Sequence, residues 1–502
     1  MNPSEYRREY AEYCRASERE RRDHHANLLP APRSEPLRER YSHLWRREEI
    51  EDLRRALEET PDNFLTERAG LRALANAARL RFAEERGPEV AGELSRCESR
   101  RIEWAGESVS AEDAAWRLSS ERDAGRRGEL AARMLDAVRA CDDLRAELLA
   151  SQDEAARELG FADYLALREE ACGASFEKLS AGADSFLRRT GTVYHAQLAR
   201  WAARELPPAH KPDYADLPYF RRASHLDASF PARGLRATYE AALASFGVRA
   251  ASQKNVRVDE EARPGKKART ACFGVAPPDE VSLVVGAGEA GALLFRSFFR
   301  AGGAAQQFAW ASRELASRHP EFIHGPDAAA REGFGLLLRR LFCDAAWLAE
   351  RRALKASEAE EVARSCALVE TEGARLCGAR LGYALALRGG AGSEQMLEAY
   401  ASSHTEATGF RHHAATSLRD APEVFRAAEG WRANLFAAAL GEYLRGRHGR
   451  RWWASKKAGD ELIDVWNTAS RYPAEELAQL IGAGGLDAEL LADMLLAPLS
   501  GT

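Results

Sequence analysis

Val284-Val285-Gly286-Ala287-Gly288-Glu289-Ala290-Gly291 sets glycines in the G-x-G-x-x-G spacing between a strand-like and a helix-like run. In that spacing glycines let backbone approach a pyrophosphate at a helix N-terminus. Here no second apolar strand ending in Asp or Glu follows, and strand does not alternate with helix elsewhere. A Gly-rich turn is therefore the reading. His24-His25 and His412-His413 are adjacent pairs. Helix neighbours diverge by about 100°, which suits solvated surface histidines better than two ligands of one ion. His319 and His324 flank Pro320, and His324 with Glu332 is a candidate metal pair that lacks an evident third ligand. There is no G-x-S-x-G elbow, and no cysteine has an obvious histidine partner. The eight cysteines, with no CxxC, read as reduced and mostly buried thiols rather than a disulfide framework or a zinc ribbon.

The elements that must position these groups are mostly helical. Ala, Leu, Glu and Arg dominate, all strong helix formers. Apolar residues recur at helical spacing, as in Leu130, Met134, Leu135, Val138, Cys141, Leu144 and Leu148. Gly160 and Pro207-Pro208 stop helices. The segment 255–288 breaks the pattern. Arg263-Pro264-Gly265 is a turn signal, and Thr270–Val275 and Val281–Val285 are strand candidates separated by Pro277-Pro278. The expected organisation is a charged helical lobe over residues 1–160 and a helical domain over 161–502 with one small β insert at about 255–288.

The helix after the Gly-rich turn reads Phe299-Arg300-Ala301-Gly302-Gly303-Ala304-Ala305-Gln306-Gln307-Phe308. It resembles the zinc helix of the thimet-oligopeptidase and oligoendopeptidase F family, F-H-E-x-G-H-A-x-H-F. The frame agrees at Phe299, Gly303, Ala305 and Phe308. The resemblance puts the family's zinc histidines at Arg300 and Ala304, its general-base glutamate at Ala301 and a further histidine at Gln307. Downstream, Arg331-Glu332-Gly333-Phe334-Gly335 resembles the helix of the third zinc ligand, with Glu332 at that position. Trp431-Arg432-Ala433, Gly449-Arg450-Arg451-Trp452-Trp453 and Glu475-Glu476-Leu477 continue the likeness, which covers about residues 160–502. The family's tyrosine for the tetrahedral intermediate falls on Gly430.

The resemblance implies a mainly α, two-lobed, gluzincin-like fold with a small β-sheet beside a degenerate zinc helix. It also implies a channel for short peptides, with the peptide adding to an edge strand, here Thr270, Ala271, Cys272, Phe273, Gly274 and Val275. The chemistry is missing. Arg has no lone pair to give a metal, and Ala has nothing. With Ala301 no base takes a proton from water, and Gly430 removes an oxyanion donor. The expectation is a pseudopeptidase that has lost zinc and has no other cofactor, and that binds a peptide or a partner protein. Arg300 is expected to pair with Glu332 in the vacated site. The alternatives are an active hydrolase with relocated ligands and a scaffold with a closed channel.

Composition narrows the rest. Lys+Arg 72 against Asp+Glu 77 gives a net charge of −5, which argues against a nucleic-acid binder. No apolar run approaches the roughly 20 residues of a membrane span. The charged stretch MNPSEYRREYAEYCRASERERRDHH lacks an apolar signal core, so a soluble, cytoplasmic protein is expected.

Overall fold

The structure is a computed structural model and describes residues 1–29, 34–387 and 394–500. Among its elements, in chain order, are α1 (Pro3–His25), α2 (Pro88–Glu98), β1 (Ile102–Trp104), β2 (Glu107–Val109), α3 (Ala124–Arg139), α4 (Asp142–Glu158), α5 (Leu235–Ser245), β3 (Val256–Asp259), β4 (Ala271–Ala276), β5 (Glu280–Val284), α6 (Gly291–Trp310), α7 (Ala329–Arg339), α8 (Glu394–Thr408) and α9 (Ser417–Phe425), with long helices also over Phe176–Glu205, Ala356–Leu387 and Ala427–His448. Among the described residues no helix is long and apolar enough to cross a membrane.

The chain divides into two units, each assembled from separated segments. The first holds Met1–Phe82, Ser229–Ala356 and Arg432–Leu486; the second holds Ala83–Ala228, Ser357–Trp431 and Asp487–Thr502. The sequence reading cut the chain once, after residue 160. Helical periodicity shows where a helix is and says nothing of which distant helix it packs on.

In the first unit a three-stranded sheet has the order β3-β5-β4, with β3 parallel and β4 antiparallel to β5. Alternation along β4 serves two layers. Phe273 and Val275 pack with Ala26, which caps α1, and with Val284. Gly274 on the opposite face lies against Phe308 of α6. Strand β3 went unassigned in the sequence because Val256-Arg257-Val258-Asp259 is short and half charged.

The second unit corrects three expectations. It contains a β1–β2 hairpin, so the insert at 255–288 is not the only β structure. Ala105 and Gly106 both adopt positive φ (52° and 80°) at its two-residue turn, the conformation that matches strand twist. Ile102, Trp104 and Val109 join a core with Leu118, Leu130 and Met134. Cys97 of α2 and Cys141, the N-cap of α4, form a disulfide, while six cysteines are free. Spacing along the chain could not show that pairing, because tertiary packing brings residues 44 apart together. His412, read as a surface residue, is 6% exposed and its ring lies 5.5 Å from that of the fully buried His404.

Candidate functional site

Helix α6 carries the would-be site, and its packing fixes which way each position faces. Phe298 and Phe299 meet the Tyr239 ring of α5 edge-on at 5.1 and 5.3 Å. Phe299 also contacts Phe342 and Trp347. The Tyr239 hydroxyl donates to the Gly302 carbonyl at 3.0 Å, and a Cβ at Gly302 would stand 2.5 Å from the Tyr239 ring. A Cβ at Gly303 would meet the Phe334 carbonyl oxygen at 2.4 Å, and one at Gly335 would meet the Arg300 carbonyl oxygen at 2.7 Å. Reciprocal glycines thus let α6 and α7 cross with backbones nearly touching. That crossing brings position 300 over position 332.

Arg300 Nε and Nη2 both donate to Glu332 Oε2, at 3.2 and 2.7 Å. The ion pair is half open to solvent, with side chains 48% and 35% exposed. Relief of a deeply buried carboxylate is therefore not what this pair supplies. Ala301 is buried and Ala304 is half-buried. Gln307 is buried, and its Nε2 donates to the Ala469 carbonyl at 2.9 Å. A catalytic zinc takes about three protein donors and an open position. Positions 300, 304 and 332 supply one carboxylate, and one of its oxygens already accepts two N–H bonds. Among the described residues no group of three His, Cys, Asp or Glu side chains is placed to hold a metal. The residues present do not fit zinc.

The other candidates resolve locally. His324 packs against Phe308, with ring centroids 6.0 Å apart. Burial, and then the charges of Arg331, Arg21 and Arg15, push its pKa down to about 3. His319 Nδ1 lies 3.1 Å from Glu321 Oε1. Gly430 belongs to the second unit, where a Cβ would meet Cys377 Sγ at 3.3 Å. The Gly-rich turn spends its amides internally. Gly286 N donates to Thr270 Oγ1, Ala287 N to the Lys267 carbonyl and Gly288 N to the Ala268 carbonyl. Glu289 Oε2 accepts from Thr270 N at 2.9 Å. The glycine at 286 is required because a Cβ would stand 2.2 Å from the Ala268 oxygen.

Strand β4 has β5 on one side and, among the described residues, no strand on the other. Cys272 on this edge lies in the field of Arg331 and Glu332, and burial pushes its thiol pKa up. The residue that sequence reasoning missed here is Arg331. Its guanidinium carbon lies 5.1 Å from the Phe308 ring centroid. Its only signal in the sequence was its place beside Glu332.

No protein-family model matches the chain, and no curated protein matches it in sequence. Solved structures do match. The M32 carboxypeptidase from Deinococcus radiodurans R1 superposes with a TM-score of 0.59 at 14% identity, covering 99% of this chain and 98% of that one. Trypanosoma cruzi metallocarboxypeptidase 1 gives 0.62 at 14% identity, covering 98% of each chain. A protein described as an oligoendopeptidase F from Bacillus anthracis str. Ames gives 0.56 at 13% identity, covering 90% of this chain and 81% of that one. At such identity the likeness establishes fold. The fold is mainly α and zincin-like, with a small sheet, and the chain is related in architecture to metallopeptidases.

Proposed function

We infer that this chain is a pseudopeptidase of the metallopeptidase fold: it binds a peptide, or an extended segment of a partner protein, and does not cleave it. The observation that carries the reading is the Arg300–Glu332 ion pair at the α6–α7 crossing. It stands where the oligoendopeptidase-like frame would gather a cation's donors, and it presents donors instead. Ala301 leaves no carboxylate to activate water. The outer edge of β4, beside that pair, is the edge to which an added strand would hydrogen-bond.

The test uses the purified full-length chain. Metal analysis is expected to give well below one zinc per chain. A fluorogenic peptide library is expected to show no turnover, while fluorescence anisotropy with the same peptides shows binding. Stoichiometric zinc together with peptide cleavage would overturn the reading in favour of a hydrolase with relocated ligands.

A further inference from the structure

A zinc site surrounds a cation with acceptors; the surroundings of the α6–α7 crossing have the reverse polarity. Arg331, in the first turn of α7, lies over the face of Phe308. Phe308 in turn abuts Gly274, where a Cβ would stand 2.9 Å from the ring. One aromatic ring therefore separates the guanidinium from the face of β4. Glu332, the adjacent carboxylate, is held by Arg300. Glu18 of α1 is paired with Arg21. Arg331 has no carboxylate or hydrogen-bond partner among the described residues, and its half-buried position leaves it open to solvent. The charge of Arg15, also on α1, joins those of Arg331 and Arg21 at His324.

We propose that Arg331 recognises a carboxylate on a peptide laid along β4, and that Arg300 makes this possible by keeping Glu332 occupied. Guanidinium and carboxylate match as planar, charge-assisted partners. Phe308 fixes the guanidinium plane in advance, which lowers the cost of ordering it on binding. A C-terminal carboxylate and an Asp or Glu side chain offer the same chemistry. The proposal rests on the reading of β4 as a peptide-binding edge.

One peptide of apolar sequence is made in four forms: C-terminal amide or free acid, each with or without an internal Asp. Anisotropy titrations against the full-length chain at low and high salt are expected to favour at least one carboxylate form over the neutral amide by about tenfold. Which form gains identifies the source of the carboxylate. Salt is expected to shrink the preference. Arg331→Gln is expected to collapse it to within about twofold, and Arg331→Lys to retain part of it. Arg300→Ala, which releases Glu332, is expected to weaken the carboxylate forms selectively. Equal affinity for all four forms overturns the carboxylate proposal while the peptide-binding reading stands. Binding of none of them overturns both.

Discussion

Gly302 and Gly303 are neighbours in the middle of a helix, where helix propensity alone makes each Gly→Ala change stabilising by about 1 kcal/mol. The surroundings reverse the sign at both. At Gly302 the obstacle is the Tyr239 ring, so Gly302→Ala is expected to destabilise by about 1–3 kcal/mol. At Gly303 it is the α7 backbone, which cannot rotate away, and Gly303→Ala is expected to cost at least about 3 kcal/mol. Urea unfolding of the two variants checks the order; a stabilised Gly303→Ala protein would refute the close crossing. Arg300→Ala should behave differently. The pair is half exposed, and solvent screening leaves such pairs worth under about 1 kcal/mol. Its unfolding midpoint is expected to stay near that of the native protein, which separates a role in ligand selection from a role in holding the fold.

At the scale of elements, what matters is which side chains tie helices together. In the second unit Arg127 of α3 and Asp216 are both wholly inaccessible, and Arg127 Nε and Nη2 donate to Asp216 Oδ1 at 2.9 and 2.6 Å. His210 Nε2 and Asp213 N lie against the other carboxylate oxygen. Removing one partner strands a buried charge. Arg127→Ala is therefore expected to destabilise by about 3–5 kcal/mol, whereas Arg126→Ala, one residue away and exposed, should fall within about 0.5 kcal/mol. Equal unfolding midpoints for the two would contradict this arrangement. Much of α6, α7 and the β4–β5 pair was legible in the sequence, because strand alternation and helical spacing are local. Strand β3 and the β1–β2 hairpin were not, because three or four residues carry too little pattern and gain their partners only in the fold.

Across the molecule, buried neutral histidines make stability depend on pH. Burial first, then the charge of Arg380, holds His404 down to about 4; burial first, then the neighbouring His404 and the charge of Arg221, holds His412 down to about 3, with Asp420 opposing in part at both. His412 also feels the guanidinium of Arg380. His404 Nδ1 lies 3.0 Å from the Tyr400 carbonyl, which only accepts, so that nitrogen carries the proton. His404 Nε2 and His412 Nδ1 are buried with no hydrogen-bond partner among the described residues, so an added proton there would have no acceptor among them. The unfolded chain binds protons at these sites below about pH 6.5, and the folded chain does not until about pH 4 or 3. Stability is therefore present above pH 6.5 and lost as pH falls through that window, by up to about 1.4 kcal/mol per pH unit for each group. His324 in the first unit acts in the same direction. Urea midpoints at pH 7.5 and 5.5, above most carboxylate titration, should differ in the native protein and differ less in His404→Gln. Coincident midpoints in the native protein would refute it.

The amino-acid sequence alone determined the helical class, the strand pair ahead of α6, and the absence of two histidines and a glutamate from the α6 frame. Those are properties of local spacing and side-chain chemistry. Only tertiary structure decided that Arg300 reaches Glu332, that Gly302 accommodates a tyrosine ring, that Cys97 meets Cys141 and that His412 is buried. Each depends on segments far apart in the chain being packed together, and the periodicity of one segment contains no coordinate of another.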